Sequence, residues 1–176
     1  MIFKDLGAIA AYRMHVPRWA TQPTSGAGAA RHGGRFNRPG VAALYLALEA
    51  QTAIEEFRQD SRLPPPGTLV AYDLSVTRVV DFSAGYAEGG PWSQLWEDFN
   101  CDWRYLWLNK HIEPPSWVMG DMAIAAGAKG ILFPSQAVSG GRNLALFTSQ
   151  LSTEDRVEVF DPEGALPKNQ GSWQGS

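Results

Sequence analysis

The stretch GGRFNRPGVAALYLALEAQTAIEEF, residues 33–57, decides the fold because three kinds of local structure follow one another in it. Its glycines and its Pro-Gly pair predict an irregular loop at the start. The run VAALYLAL, residues 41–48, is short and continuously apolar, which is typical of a buried strand. In residues 51–60, Ala53, Ile54 and Phe57 fall on one face of a helix. The stretch therefore predicts a loop, a buried strand and an amphipathic helix in that order.

The remainder of the chain predicts a mixed α+β fold with many short strands. It lacks the strict alternation of strands and helices that a doubly wound parallel sheet requires. We expect a single domain over residues 1–162 and a disordered tail over residues 163–176, which are rich in Gly, Pro, Ser and Gln. Further strands are expected at residues 10–16, 68–76, 78–82, 129–133, 143–147 and 156–161, further helices at residues 91–99 and 116–127, and a loop over the whole glycine- and arginine-rich segment 26–40.

Composition limits the classes of protein that the chain can belong to. It has 176 residues, 44% of them apolar, and a net charge of −3, as is usual for a globular protein. A single cysteine, Cys101, cannot form an internal disulfide. No apolar run is long enough for a membrane span, and no basic flank of a signal peptide is found, so we expect a cytoplasmic protein without membrane contact. His15, His32 and His111 are far apart in sequence, so no metal site is expected.

The distribution of charge is more informative than its sum. No Asp or Glu occurs between Asp5 and Glu49, and this segment contains five arginines and no lysine. The segment carries +5, which leaves −8 for the rest of the chain. Arginine suits forked hydrogen bonds to phosphate or carboxylate groups, so a local anionic ligand is one interpretation. Ion pairs with acids from elsewhere in the chain are the other. The arginines are Arg13, Arg18, Arg31, Arg35 and Arg38.

The glycine-rich loop matches no standard nucleotide-binding motif. GAGAAR, residues 26–31, begins like G-x-G-x-x-G but ends in arginine, and no G-K-[ST] is present. Downstream, Tyr45 and Glu56 could supply an aromatic surface and a carboxylate for cleaving a bond between ribose and nicotinamide. A core tyrosine and a solvated helix face are the structural alternatives for these two residues. Ser135 lacks the G-x-S-x-G context of a hydrolase nucleophile.

Five sequence features together resemble the RES-domain family, toxins of bacterial RES–Xre toxin–antitoxin modules. They are GGRFN-x-x-G at residues 33–40, LYLA at 44–47, TAIEE at 52–56, GILFPS at 130–135 and GRN at 141–143. The resemblance implies a fold like that of ADP-ribosyltransferases, with small antiparallel or perpendicular sheets flanked by helices around an NAD cleft. It also implies that NAD is consumed as a substrate.

Carried over to this sequence, the resemblance implies a set of site residues. Glu56, Arg35, Tyr45 and Ser135 would form the catalytic group, and Arg13, Arg31, Arg35, Tyr45, Asn37 and Asn143 would bind NAD. The implied reaction cleaves the nicotinamide–ribose bond and transfers ADP-ribose to a protein, water or phosphate, which arrests bacterial growth. The implied partners are an Xre-type helix-turn-helix antitoxin that blocks the active site and a host protein that accepts ADP-ribose, without direct nucleic-acid binding.

A second function from a different class stays open at the level of sequence. The basic segment of residues 26–40, called the Gly/Arg loop below, could dock an acidic protein or a nucleic acid in a binding module without catalysis. Four tryptophans could then form an interaction surface, although their spacing fits helix packing equally well. They are Trp92, Trp96, Trp103 and Trp107.

Overall fold

The computed structural model describes residues 1–59, 61–83 and 100–173, which form six strands, three α-helices and several short turns of other helix types. The strands are β1 (Phe3–His15), β2 (Ala43–Ala47), β3 (Thr68–Asp81), β4 (Gly130–Pro134), β5 (Arg142–Phe147) and β6 (Arg156–Val159). The α-helices are α1 (Ala27–His32), α2 (Ala50–Arg58) and α3 (Pro115–Ala125), and a π-helical turn covers Tyr105–Asn109.

The six strands form one sheet in the order β1-β2-β5-β4-β3-β6, and β1 also pairs with β3. This extra pairing closes five of the strands into a ring, with β6 attached outside it. All pairings are antiparallel except that between β3 and β4. Strand β3 organises the ring because β1 pairs along almost its whole length, whereas β6 and then β4 share its other edge.

The mixed α+β class predicted from the sequence is confirmed, but the separate small sheets that we expected are one continuous sheet in the described part of the chain. Residues 68–76 and 78–82, predicted as two strands, form the single strand β3 up to Asp81. The prediction of a loop over residues 26–40 is wrong for α1, because three alanines favour a helix strongly enough to offset Gly28. The helix predicted at residues 91–99 lies outside the described residues.

Part of the tail that we expected to be disordered, residues 163–173, contacts the domain in the structure. Leu166 packs against the core, and the backbone N–H groups of Ala165 and Leu166 bond to the carboxylate of Asp161. Gln170 donates to the backbone carbonyl of Arg18 near the other end of the chain. These contacts attach residues 163–173 to the domain in spite of their composition.

Two apolar clusters lie on opposite faces of the sheet, which explains the continuous apolar runs. Along β2, Leu44 and Leu46 belong to one cluster, while Ala43 and Tyr45 contact the other. Side chains alternate between the faces of a strand, so a strand that is buried on both sides needs apolar residues at every position. Tyr45 is the polar exception in β2, and its hydroxyl therefore requires a partner.

Helix α3 fixes the position of the loop that follows α1. The indole N–H of Trp117 donates to the carbonyl oxygen of Gly34 at 2.7 Å. One turn later, Gly120 lies so close to the carbonyl group of Phe36 that a Cβ atom at residue 120 would overlap it. The helix, predicted to begin at Ser116, begins one residue earlier at Pro115, with Pro114 as its N-cap.

A buried polar pair joins the two long strands. The ring nitrogen Nε2 of His15 lies 2.7 Å from the hydroxyl oxygen of Tyr72, and that hydroxyl donates to the carbonyl of Pro23 at 2.7 Å. Because the tyrosine proton is used on Pro23, Nε2 of His15 must be the donor in the first bond. Burial, with a further contribution from the nearby Arg13 cation, lowers the pKa of His15 to about 4.

Gly120→Ala tests how closely α3 and the loop are packed. We expect the free energy of unfolding to fall by about 2–3 kcal/mol, since the new methyl group must push the helix away from Phe36. Gly28→Ala is the matched control, because Gly28 is also helical but has open space around it. The control should change stability by less than about 1 kcal/mol, and usually upward. Equal effects in a denaturant titration would contradict the packing described.

The lowered pKa of His15 predicts an acid-sensitive stability. As the pH falls below 6.5, the unfolded chain protonates this histidine while the folded protein does so only near pH 4. The free energy of unfolding should therefore fall across that window. His15→Gln retains an N–H donor for Tyr72 and does not ionise, so its stability should fall less between pH 7 and about pH 4.5. Parallel stability curves for the two proteins would contradict the assignment.

Candidate active site

A cavity of about 410 Å³ opens between the Gly/Arg loop, β1, β2, α2 and the segment that contains Trp103. Its volume is within the usual range for small-molecule sites. Three arginines and a single acid lie among the described residues that line it, so its lining carries a net charge of about +2. The four charged residues are Arg13, Arg35, Glu56 and Arg104.

Glu56 lies on the inner face of α2, and two neutral donors hold its carboxylate. Its Oε1 accepts one hydrogen bond from the hydroxyl of Ser135 at 2.7 Å and one from the amide of Asn143 at 2.6 Å. Both donors stand at the β4–β5 end of the sheet, where one strand ends and the next begins. The carboxylate is thereby oriented without being neutralised by a cation.

The adjacent Glu55 has a different environment. It accepts a hydrogen bond from Gln51 at 2.9 Å and lies 3.5 Å from Arg58 in an ion pair on the helix surface. It does not line the cavity. Of the two neighbouring glutamates, only Glu56 is placed to reach a ligand there.

Arg35 projects from the loop into the cavity and is held by neutral acceptors. Its Nη1 donates to the carbonyl oxygen of Cys101 at 3.0 Å, and its Nη2 donates to the side chain of Gln136. Burial lowers the pKa of Arg35, partly offset by Cys101 and Glu56, although an arginine remains charged at neutral pH. A cation that is oriented but not neutralised attracts an anion.

Arg13, in β1, has a buried positive charge that no partner among the described residues offsets. Within the described residues it makes no hydrogen bond and no ion pair. Burial lowers the pKa of Arg13, so its charged form is held at a cost in free energy. An anionic ligand would offset that cost.

The hydroxyl of Tyr45 secures the loop that carries Arg35. It accepts a hydrogen bond from the backbone N–H of Phe36 at 2.9 Å and donates to Oδ1 of Asn37 at 2.7 Å. Burial raises the pKa of Tyr45, so the hydroxyl keeps its proton. Gly34 is required here because a Cβ atom at this position would lie 2.6 Å from the Tyr45 hydroxyl.

The structure brings most of the predicted site residues together, but not all of them. Ser135 contacts Glu56 without lining the cavity itself. Asn37 is buried away from the cavity, where its amide bonds to the carbonyls of Ala29 and Val41 and so holds the loop. Arg31 is exposed on α1 and does not line the cavity. The lining includes Arg13, Arg35, Tyr45, Glu56 and Asn143.

Sequence reasoning missed Arg104 and Gln136, which line the cavity, and considered Trp103, which also lines it, only for an interaction surface or for helix packing. Gln136 bonds to Arg35 and donates to Asn100 at 2.7 Å, and thereby links the β4–β5 loop to the segment before Trp103. An arginine flanked by aromatic residues in CDWRYLW, residues 101–107, was the available signal, but nothing in the sequence connects this segment with the Gly/Arg loop.

The five arginines between Asp5 and Glu49, a segment without acidic residues, do not form one basic surface. Arg38 pairs with Asp121 at 2.6 Å and with Glu113 at 2.8 Å, and these acids raise its pKa. Arg18 lies over the ring of Trp19 on the exposed side. Arg38 is therefore structural, Arg18 lies on the surface, and Arg13 and Arg35 line the cavity. This distribution does not favour a binding module in which the Gly/Arg loop docks an acidic protein or a nucleic acid. Trp107 packs against Trp117 with ring centroids 4.8 Å apart, whereas Trp92 and Trp96 lie outside the described residues.

The described residues, 1–59, 61–83 and 100–173, offer neither a metal site nor a membrane-spanning helix. No group of three or more His, Cys, Asp or Glu residues within them could hold a metal ion. None of the helices there has both the length and the apolar character needed to cross a membrane.

A cavity that combines a fixed carboxylate with several uncompensated guanidinium groups defines a candidate enzyme site for an anionic small molecule. Comparison with known proteins identifies the family. The chain belongs to the RES domain family, whose model matches residues 10–169. A search of curated proteins found no match.

Solved structures with a similar fold include the crystal structure of the M. tuberculosis MbcT–MbcA toxin–antitoxin complex. The two chains align with a TM-score of 0.60 and 19% sequence identity, over 90% of this chain and 85% of the other.

Tyr45→Phe tests how much the hydroxyl of Tyr45 contributes to stability, because the variant keeps the ring and lacks only the hydroxyl. Loss of the hydroxyl leaves the Phe36 N–H and Oδ1 of Asn37 without the bonds that it makes to them, so we expect the free energy of unfolding to fall by about 1–3 kcal/mol. Tyr12→Phe is the control, because Tyr12 lines the same cavity and its hydroxyl has no hydrogen bond within the described residues. Equal denaturant midpoints for both variants would show that the Tyr45 hydroxyl does not hold the loop.

Proposed function

We propose that the protein is an enzyme that breaks the nicotinamide–ribose bond of NAD and transfers ADP-ribose to an acceptor. The observation that carries the proposal is the placement of one carboxylate, Glu56, in a cavity where Arg13 and Arg35 lack acidic partners within the described residues. NAD offers the matching groups, namely a pyrophosphate for arginine and a ribosyl centre that becomes cationic during cleavage.

The arginines would bind the pyrophosphate. Arg13 has no protein partner within the described residues to give up, and Arg35 is already oriented by Cys101 and Gln136. Binding would therefore require little reorganisation of either side chain. Tyr45 would contribute to the lining around the ligand, while its hydroxyl stays bonded to the loop.

Glu56 would act on the ribose. When the bond between C1′ and the nicotinamide nitrogen breaks, its electron pair leaves with nicotinamide, which becomes neutral, and positive charge develops on the ribosyl group. The carboxylate would stabilise that charge electrostatically. The acceptor then forms a bond to C1′ and, if it is a neutral nucleophile, loses a proton. Ser135 and Asn143 would act as positioning residues that occupy Oε1 and leave Oε2 for the ligand.

We further propose that the protein acts as the toxin of a toxin–antitoxin pair in the bacterial cytoplasm. Membership of the RES domain family and a fold shared with a chain of the MbcT–MbcA toxin–antitoxin complex support this proposal. The partner would be an antitoxin of the Xre type that covers the cavity. A cleft with a net positive lining would suit an acidic or carboxylate-ended segment of such a partner.

Glu56→Gln tests the proposed activity. The substitution keeps an oxygen that can accept from Ser135 and Asn143 but removes the charge, so nicotinamide release from NAD should fall by about 100-fold or more. Glu55→Gln is the matched control, because it removes the same charge one residue away on the helix surface. Release is measured by chromatography with water, phosphate and a bacterial lysate in turn as the source of acceptor.

The control variant should retain activity and, on expression in bacteria, growth arrest, whereas the Glu56 variant should lose both with an unchanged melting temperature. If the wild-type protein releases no nicotinamide with any of the three acceptor sources, the proposed activity is wrong. Equal loss in the two glutamate variants would also contradict the assignment of Glu56.

A further inference from the structure

Among the described residues that line the cavity, Arg104 is the one cation that neither the Gly/Arg loop nor β1 supplies. It stands just before the π-helical turn Tyr105–Asn109 and is exposed at the cavity. Its guanidinium lies over the ring of Trp103, 4.8 Å from the centroid. No ion pair or hydrogen bond to it is found within the described residues. Its charge is therefore supported by an aromatic face and is not neutralised.

The segment that carries Arg104 is fixed against the Gly/Arg loop. The carbonyl oxygen of Cys101 accepts both Nη1 of Arg35 and the backbone N–H of Trp103, each at 3.0 Å. Asp102 caps the following turn by accepting the backbone N–H of Tyr105 at 3.0 Å. Arg104 therefore follows directly on a segment that bonds to Arg35, and the pKa of Arg35, which burial lowers, is lowered further by the positive charge of Arg104.

We propose that Arg104 is a specificity-determining residue that binds the second phosphate group of a diphosphate ligand. Arg13 and Arg35 would bind one phosphate group of the pyrophosphate, and Arg104, a third guanidinium at the same cavity with no acidic partner in the described residues, would bind the other. The ligand class is a nucleoside diphosphate derivative in preference to a nucleoside monophosphate. The inference rests on the proposed function and extends it by giving Arg104 the role of selecting between these ligands.

Binding of ADP-ribose and AMP tests this role without any turnover. In isothermal titration calorimetry, Arg104→Gln should weaken ADP-ribose binding about tenfold or more, the size expected for a charge-assisted hydrogen bond, and AMP binding by less than about threefold. Lys110→Gln is the matched control, because Lys110 ends the same turn, lies over Tyr105 as Arg104 lies over Trp103, and does not line the cavity. It should bind both ligands like the wild type.

Equal weakening of ADP-ribose and AMP by Arg104→Gln would overturn the proposal, as would unchanged ADP-ribose affinity or a loss of the same size in the Lys110 variant. Arg104→Lys should recover only part of the ADP-ribose affinity, because lysine keeps the charge but not the forked geometry. Failure of the proposed activity is a separate result. A wild-type protein that binds ADP-ribose through Arg104 but releases no nicotinamide would support this inference and contradict the proposed reaction.

Discussion

The hydroxyl group of Tyr45 is the contact on which the rest of the site depends. It projects from a strand that is otherwise apolar and bonds to the backbone of Phe36 and to the side chain of Asn37. From the opposite side, Trp117 fixes the carbonyl of Gly34. A loop rich in glycine has a high conformational entropy when free, so these three bonds, together with those of the Asn37 amide, are needed to hold it in one shape. Arg35 stands between residues that are held from both sides, and this is why its guanidinium enters the cavity.

Positive charge is concentrated in this cavity although the chain as a whole is acidic. The arginine whose role is structural, Arg38, has two carboxylate partners, whereas the acceptors of Arg35 among the described residues are neutral. Glu56 is likewise held by neutral groups, because the donors that bond to its carboxylate belong to Ser135 and Asn143. Cation and anion are therefore both oriented by dipoles and do not neutralise each other. Such preorganised charge is what electrostatic stabilisation of a transition state requires.

The sequence predicts the local structure of the site better than its assembly. Strand β2 and helix α2 follow from apolar patterns that the tertiary structure does not override, so the inward direction of Glu56 is set by Ala53 and Phe57 on the same helical face. Arg31 and Arg35 look equivalent in the sequence. Their difference arises because Arg31 lies in α1, whose helical geometry turns it outward, and Arg35 lies in the loop that follows.

Contacts between distant parts of the chain account for what the sequence cannot predict. Closure of the sheet depends on the pairing of β1 with β3 over about ten positions, and no local pattern encodes which strands will meet. The attachment of residues 163–173 depends on Leu166 and Asp161, whose neighbours suggest disorder. The place of Arg104 in the site could not be predicted for the same reason. The segment that carries it is joined to the Gly/Arg loop through the carbonyl of Cys101, which is distant from that loop in sequence.

The carbonyl of Cys101 also makes the position of Arg35 and the position of the segment before Trp103 depend on each other. Arg35 donates to Cys101 with one guanidinium nitrogen and to Gln136 with the other, while Gln136 reaches Asn100. An anion that binds Arg35 uses the remaining N–H groups of a side chain that already positions the segment before Trp103. Anything that displaces Arg35 therefore changes the opposite wall of the cavity as well as the cation itself. Loss of binding on substitution of Arg35 alone consequently cannot distinguish lost charge from a displaced wall, whereas Arg104 bears no such structural bond within the described residues.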